Sequence, residues 1–263
     1  MRKVYPSNLT ADQFELLTPL LPTESKRGRP RTTSLWDILN GIFYVLCEGC
    51  TWRGLPGDFP AWQTVYTYFR RWKQDGTWLT MHDRLYLATR RLEGRDASPS
   101  ELIVDSQSVQ SATMIAQAVG HDAGKKTNGR KRHLTVDTLG LVLRVLVTAA
   151  SVPERDGAKQ VLTQVHQLGN RVKRVHTVWV DGGYKGVKFY DWAILILHWV
   201  IEVVLRPKEV KGFVLLKKRW VVERTFGWWN WCRRLSKDYE LLPETSEAFL
   251  YIAMIRIMVR RLA

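Results

Sequence analysis

The stretch Leu-Ile-Val-Asp at residues 102–105 sets three apolar side chains directly before an aspartate. A short apolar run of this kind predicts a buried β-strand, and Asp105 is expected at its end. The stretch at residues 175–184 repeats the arrangement, because Asp181 follows an apolar segment and precedes two glycines. Side chains at strand ends leave the core while their backbone stays rigid. Either aspartate alone could serve a turn or a helix cap, but together they are candidate site residues.

The sequence around these strands predicts a mixed α/β domain. Alternating apolar residues at 133–147, with Asp-Thr-Leu-Gly in the middle, indicate a β-hairpin. A further strand is expected at 201–205. Apolar residues at helical spacing predict helices at 156–168, 185–198, 219–237 and 246–262. Strands and helices mixed in this way are typical of a sheet with flanking helices.

The first hundred residues have helical spacing throughout. A capping box formed by Thr10 and Gln13 begins the first helix, and a second helix is expected from Ser34 to Gly49. A third helix follows a turn rich in glycine and proline. Its apolar side chains are expected to face the core: Trp62, Val65, Tyr66, Phe69 and Trp72.

The outer face of this third helix is polar and basic, and it includes Arg70 and Arg71. Two helices joined by a compact turn, the second with a basic face, are the outline of a helix-turn-helix DNA-binding domain. An ordinary three-helix bundle with a solvated face is the alternative. The polar stretch at 92–100 predicts a domain boundary. We therefore expect a helical DNA-binding domain at residues 1–95 and a catalytic α/β domain at 100–263.

The net charge of the chain is +15, and a polyanionic partner is the usual reason for such a charge. Nucleic acid is favoured over a membrane, because the longest apolar stretch, at 192–205, is too short and too charged to span a bilayer. The N-terminus does not have the pattern of a signal peptide, and three cysteines give no disulfide framework. These features predict a cytoplasmic DNA-binding protein without membrane attachment.

A third carboxylate, Glu223, stands on the helix predicted at 219–237. It is the acid of a polar face that otherwise carries Arg219, Gly227, Asn230, Arg234 and Lys237. Two interpretations of Glu223 are open: an ion pair with Arg219 one turn away, or a metal ligand close to DNA phosphates.

Carboxylate oxygens without histidine or cysteine at fitting spacing favour Mg²⁺ or Mn²⁺ over zinc. The three carboxylates of Asp105, Asp181 and Glu223 could hold two such ions about 3.5–4 Å apart. One ion would activate the attacking oxygen of a phosphodiester displacement, and the other would stabilise the leaving oxygen.

Several long segments resemble DDE transposases of bacterial insertion sequences, in particular the insertion sequence 5 group of the insertion sequence 4/5 superfamily. They are IVDSQSV at 103–109, GRKRHLTVDTLG at 129–140, VDGGYKG at 180–186 and RWVVERTF at 219–226. The stretch at 40–72 resembles the DNA-binding region of the same group.

This resemblance implies an RNase H-like (retroviral-integrase-like) fold in which Asp105, Asp181 and Glu223 are both the catalytic triad and the metal ligands. It implies a transposase that cleaves the ends of its element and joins the 3′-hydroxyl to target DNA with two Mg²⁺ or Mn²⁺ ions. The implied partners are the terminal inverted repeats, the target DNA and a second copy of the chain on paired ends.

The sequence departs from the related insertion sequence 4 signature at two positions. Arg219 and Glu223 match the signature, but Leu216 stands where it has tyrosine and Asn230 where it has lysine. Arg233 or Arg234 is expected to bind the DNA backbone in their place.

A basic run without acidic residues, at 124–133, is expected to form a loop that binds the phosphates of the transposon end, although a solvated charged loop is the alternative. The complete set of residues expected to bind DNA is Arg53, Arg70, Arg71, Lys125, Lys126, Arg130, Lys131, Arg132, His133, Tyr184, Arg219, Arg224, Arg233 and Arg234. Two other functions remain open: a metal-dependent nuclease of the same fold, and a non-catalytic helix-turn-helix protein from a degraded copy.

Overall fold

The structure is a computed structural model, and it describes residues 3–23, 32–205 and 218–263. Leu216 therefore lies outside the described residues. The chain forms two compact units. The helical unit comprises Met1–Thr89, Trp229–Ser236 and Ala248–Ala263, and the sheet unit comprises Arg90–Trp228 and Lys237–Glu247.

The first four helices of the chain are α1 (Ala11–Leu17), α2 (Leu35–Glu48), α3 (Trp62–Gln74) and α4 (Thr77–Leu92). The predicted capping box is confirmed, since Thr10 Oγ1 accepts from the amide of Gln13 and the Gln13 side chain accepts from the amide of Thr10. The predicted end of α2 is also confirmed. Gly49 follows it with a φ of 73°, a left-handed conformation that favours glycine.

The face of α3 that packs on the core is narrower than predicted. Val65, Phe69 and Trp72 are buried, but the side chain of Tyr66 is 37% exposed, so its predicted core position is wrong. Arg70 and Arg71 are exposed, as a basic outer face requires.

The sheet unit contains β1 (Glu101–Gln110), β2 (Gly120–Asp122), β3 (Thr127–Asp137), β4 (Val142–Ala149), β5 (Thr177–Val180) and β6 (Val200–Val203). The strand order is β2-β3-β1-β5-β6, and β4 pairs with β3. Strand β1 is antiparallel to β3 and parallel to β5, which is parallel to β6. The remaining helices are α5 (Glu154–His166), α6 (Val187–Trp192), α7 (Arg219–Asn230) and α8 (Pro243–Leu262). The predicted mixed sheet with flanking helices, preceded by an all-helical region, is confirmed.

Several predicted boundaries are wrong. Strand β1 does not end at Asp105 but pairs with β3 as far as Gln110. Strand β3 begins at Thr127, so most of the basic run lies in a strand rather than a loop. Helix α6 gives way to a π-helical turn at Ala193–Leu197, and α7 ends at Asn230, well before residue 237. The domain limits 1–95 and 100–263 stay a prediction.

No helix among the described residues is both long enough and apolar enough to cross a membrane.

Candidate active site

The pairing of β1 with β5 places the two aspartates side by side. Ile103 of β1 is in register with Trp179 of the parallel strand β5, and each aspartate lies two residues further on. Asp105 and Asp181 therefore reach the same level on the same face of the sheet. A side-chain oxygen of Asp105 accepts a hydrogen bond from the amide of Ser106 at 2.8 Å.

Asp181 leaves β5 directly, and its side chain caps the 3₁₀ turn at Gly182–Tyr184. Its Oδ1 accepts a hydrogen bond from the amide of Gly183 at 2.8 Å. The other oxygen remains directed at the site, where it lies 3.6 Å from Nη2 of Arg219.

Glu223 approaches the aspartates from helix α7, and its side chain is 47% exposed. A cavity of about 420 Å³ joins all three carboxylates. It is lined by Asp105, Ser106, Gln107, Ser108, Lys125, Thr127, Glu154, Asp181, Arg219, Glu223 and Phe226. The structure therefore brings together the three acidic residues that the sequence identifies as candidates.

Arg219, one turn before Glu223 on α7, contacts all three carboxylates. Its Nη2 atom lies 3.9 Å from Oδ2 of Asp105, 3.6 Å from Oδ2 of Asp181 and 3.5 Å from Oε1 of Glu223. The ion pair with Glu223, which was one of the two open interpretations of that residue, is thus present.

Glu154, the first residue of α5, is a fourth carboxylate that sequence reasoning missed. It lines the same cavity, and its Oε1 accepts a hydrogen bond of 3.4 Å from the Ser106 hydroxyl. A Cβ at position 183 would collide with its Oε2, so Gly183 permits this close approach. The available signal was an acid directly after Pro153, which usually indicates only a helix N-terminus.

The cavity favours the binding of positive charge. Burial raises the pKa of Asp105 to about 7, against the lowering effects of the Ser106 amide and Arg219. The negative charges of Asp181 and Glu154 raise this pKa further. The Arg219 guanidinium therefore does not offset the burial of Asp105 together with its acidic neighbours, and a further cation would favour the ionised carboxylate.

The donor atoms fit a hard divalent cation, because they are carboxylate oxygens beside further oxygen donors of serine and threonine. In the described part of the chain, no three side chains of the types His, Cys, Asp and Glu are already gathered closely enough to hold a metal ion. Metal binding at this cavity would therefore require the carboxylates to move closer together.

The second half of the predicted phosphate-binding run is buried in the sheet unit. Arg130, Lys131, Arg132 and His133 are each at most 5% exposed. Arg130 donates to Oδ1 of Asp238 at 3.2 Å and to three backbone carbonyl groups. The predicted loop is wrong at these positions, because interior partners take the place of DNA phosphates.

Lys125 and Lys126 are the exposed cations of this run. They lie in the turn between β2 and β3, and Lys125 lines the cavity beside the carboxylates. They are the part of the run that a DNA phosphate can reach.

Two other predicted DNA-binding residues are buried. Tyr184 is fully buried beside the site, so its side chain does not reach DNA in this arrangement. Arg234 is 8% exposed, lies over the Phe249 ring and donates to the carbonyl oxygen of Cys50. The expectation that it projects from the polar face of α7 is wrong, because α7 has already ended.

The remaining predicted DNA-binding residues have accessible side chains. In the helical unit, Arg53, Arg70, Arg71 and Arg233 are exposed, and Arg233 lies 3.7 Å from Glu48. In the sheet unit, Arg224 is half-buried between the rings of Trp220 and Trp228 and donates to the carbonyl of Leu139.

Two regions of the chain match known protein families. Residues 96–258 match the family described as "Transposase DDE domain", and residues 9–82 match "Putative transposase of IS4/5 family". A relative in Burkholderia cepacia, "Putative transposase for insertion sequence element IS402", is 28% identical over 126 residues, which are 46% of this chain and 59% of the relative. The chain thus spans less than two thirds of that relative's length.

A second relative from the same organism is the "Insertion element IS402 uncharacterized 16.2 kDa protein". It is 30% identical over 103 residues, which are 37% of this chain and 69% of the relative. No solved structure matches the chain.

Proposed function

Because the chain belongs to the family of transposase DDE domains, we propose that it cleaves the ends of an insertion sequence and joins them to target DNA. Membership in this family also confirms the RNase H-like fold that the resemblance implies. The observation that carries the proposal is the meeting of Asp105, Asp181 and Glu223 at one cavity of a basic protein.

DDE transposase domains generally use divalent metal ions. In this chain Asp105, Asp181 and Glu223 would hold two Mg²⁺ or Mn²⁺ ions, which supply a Lewis acid at the attacking and leaving oxygens. Asp105 stands on β1 and Asp181 directly follows β5, so the backbone that carries both aspartates is rigid. Glu154, fixed by the Ser106 hydroxyl, would orient the attacking water or 3′-hydroxyl through a hydrogen bond.

The substrate is proposed to be double-stranded DNA, first the terminal inverted repeats and then the target. Arg53, Arg70 and Arg71 would contact the DNA backbone from the helical unit, since all three are exposed. Lys125 and Lys126 would hold the strand beside the cavity. With bacterial DNA as its substrate, the reaction would take place in the cytoplasm, on the nucleoid.

Two chains would act together, because two element ends must be joined and each chain offers one set of carboxylates in its described part. A homodimer that assembles on paired ends satisfies this requirement. A metal-dependent nuclease and a non-catalytic DNA-binding protein are the two rival functions.

A joining assay separates the three functions. The full chain is incubated with Mg²⁺, a supercoiled plasmid and a pre-cleaved duplex copied from inverted repeats that flank the gene. We expect the duplex to become covalently joined to the plasmid. Hydrolysis without joining would indicate the nuclease, and DNA binding without any metal-dependent product would indicate the non-catalytic DNA-binding protein.

A further inference from the structure

The Arg219 guanidinium occupies the space that the three carboxylates share. A single nitrogen atom of this group lies between 3.5 and 3.9 Å from carboxylate oxygens of three residues. These residues come from β1, the end of β5 and α7, so the contact joins three separate elements of the sheet unit.

The geometry is that of a counter-ion rather than of a fixed ion pair. Charge-assisted hydrogen bonds between guanidinium and carboxylate groups are typically about 2.7–2.9 Å long and often bidentate. Each contact of Arg219 is longer than that, and the same nitrogen serves all of them. Such contacts neutralise charge without binding the arginine strongly to any one partner, so the arginine is readily exchanged.

The guanidinium and a divalent cation cannot both occupy this position. Two positive groups within about 4 Å of each other repel by several kcal/mol in a partly buried site. A DNA phosphate that enters the cavity offers the arginine another anionic partner, and guanidinium groups bind phosphate well.

We propose that Arg219 is an exchangeable counter-ion that neutralises the carboxylates in the free protein and transfers to a DNA phosphate when divalent cations bind. This inference rests on the proposed metal site. The binding of metal and the binding of DNA then favour each other. The metal ions neutralise the carboxylates that Arg219 leaves, and the DNA phosphate pairs with the displaced guanidinium.

The test is calorimetric titration of the full, DNA-free chain with Mn²⁺. Arg219→Gln removes the competing charge and is expected to raise the affinity for Mn²⁺ by about tenfold. Arg219→Lys keeps a positive charge and should bind Mn²⁺ about as the unaltered chain does. Lys188→Gln is the control, since Lys188 is an exposed cation on α6 that lies outside the cavity. It should change the affinity by less than about threefold.

The outcomes distinguish this inference from the function on which it rests. If Arg219→Gln binds Mn²⁺ no more tightly than Lys188→Gln does, the exchange is wrong while the metal site stands. If neither the unaltered chain nor any variant binds Mn²⁺, the proposed metal site is wrong and the exchange with it. Thermal unfolding of each variant identifies a loss of binding that is due to misfolding.

A second measurement tests the transfer to phosphate. With a duplex of random sequence, Mn²⁺ should raise the DNA affinity of the unaltered chain more than that of Arg219→Gln. An equal increase in both proteins would contradict transfer of the guanidinium to DNA.

Discussion

Gly183 stands where the carboxylates of Glu154 and Asp181 approach the backbone. A Cβ at this position would collide with Oε2 of Glu154 and lie 3.1 Å from Oδ1 of Asp181. The Glu154 carboxylate is the end of a flexible side chain, so it would swing out of the cavity while the fold remained intact. Because Gly183 has no side chain, the Glu154 carboxylate can stay in the cavity.

We therefore expect Gly183→Ala to lower strand joining by at least about tenfold, with little change in melting temperature. Glu154→Gln should lower it similarly. Gly182→Ala is the matched control, because among the described residues a Cβ there meets Leu205 alone, at an ordinary 3.5 Å. Full activity in Gly183→Ala would show that the position of Glu154 is unimportant.

Individual residues differ in how well the sequence alone predicts their place. Asp105 and Asp181 follow apolar runs, and Glu223 is an isolated acid on a helical face, so local pattern predicts all three as candidates. Glu154 has no such pattern. Its proximity to Asp105 depends on how α5 crosses the sheet, which a single sequence does not reveal.

Strand β3 connects the sheet to the segment before α8 through a buried ion pair. Arg130 is fully buried, and it donates to Asp238 and to the backbone carbonyls of Gln117, Glu240 and Leu241. Asp238 also accepts from the hydroxyl of Ser246 at 2.8 Å. The Arg130 guanidinium thus donates hydrogen bonds to backbone carbonyl groups and also forms an ion pair with the Asp238 carboxylate.

Arg130→Gln should lower the free energy of unfolding by about 3–5 kcal/mol, because Asp238 would be left buried without its cation. Urea denaturation measures the change. Lys126→Gln, four residues earlier at an exposed position, should change stability by less than about 0.5 kcal/mol. A small effect of Arg130→Gln on stability with a large loss of DNA binding would contradict the structural role.

The elements themselves were largely predictable, whereas their lengths and the role of the basic run were not. Apolar periodicity identifies the strands and helices, but β1 continues to Gln110 because β3 pairs with it there. The same pairing converts the basic run into a strand. From sequence alone, a charged segment is predicted to be exposed to solvent unless a buried partner is known. The partner of Arg130, Asp238, is 108 residues further along the sequence.

The stability of the whole molecule should depend on His133. Burial, and next the charge of Lys131, lowers the pKa of this histidine to about 4, against about 6.5 when unfolded. At a pH between these two pKa values, His133 binds a proton in the unfolded chain but not in the folded chain. The free energy of unfolding should therefore fall by about 3 kcal/mol as the pH decreases from about 6.5 to about 4.

Comparison of the unaltered chain with His133→Gln isolates this effect from that of the carboxylates. The variant loses the hydrogen bond to Thr148, so its stability at neutral pH is lower. Its further loss between pH of about 6.5 and about 4 should be smaller by about 3 kcal/mol. Parallel pH profiles in urea denaturation would contradict the role of His133.

Assembly is the other property of the whole molecule that the proposed function determines. Light scattering with terminal duplex should show complexes that contain at least two chains, whatever the state of the free protein. A complex with one chain that still joins both ends would contradict the dimer.

The most direct measurement is Mg²⁺-dependent strand joining by Asp105→Asn, Asp181→Asn and Glu223→Gln. Each substitution keeps the shape of the side chain but removes the negative charge that would hold the metal. Loss of ~4 kcal/mol of transition-state stabilisation corresponds to a decrease of roughly a thousandfold. Asp191→Asn, an exposed position on α6 outside the cavity, is the control.

We predict that all three variants fold and bind terminal DNA, that each loses joining by about three orders of magnitude, and that Asp191→Asn retains it. The losses should not add in combination, because a site that lacks one ligand already misplaces the ions. Normal joining by any one of the three variants, with a folded protein and intact DNA binding, would contradict the assignment of that residue and of the shared site.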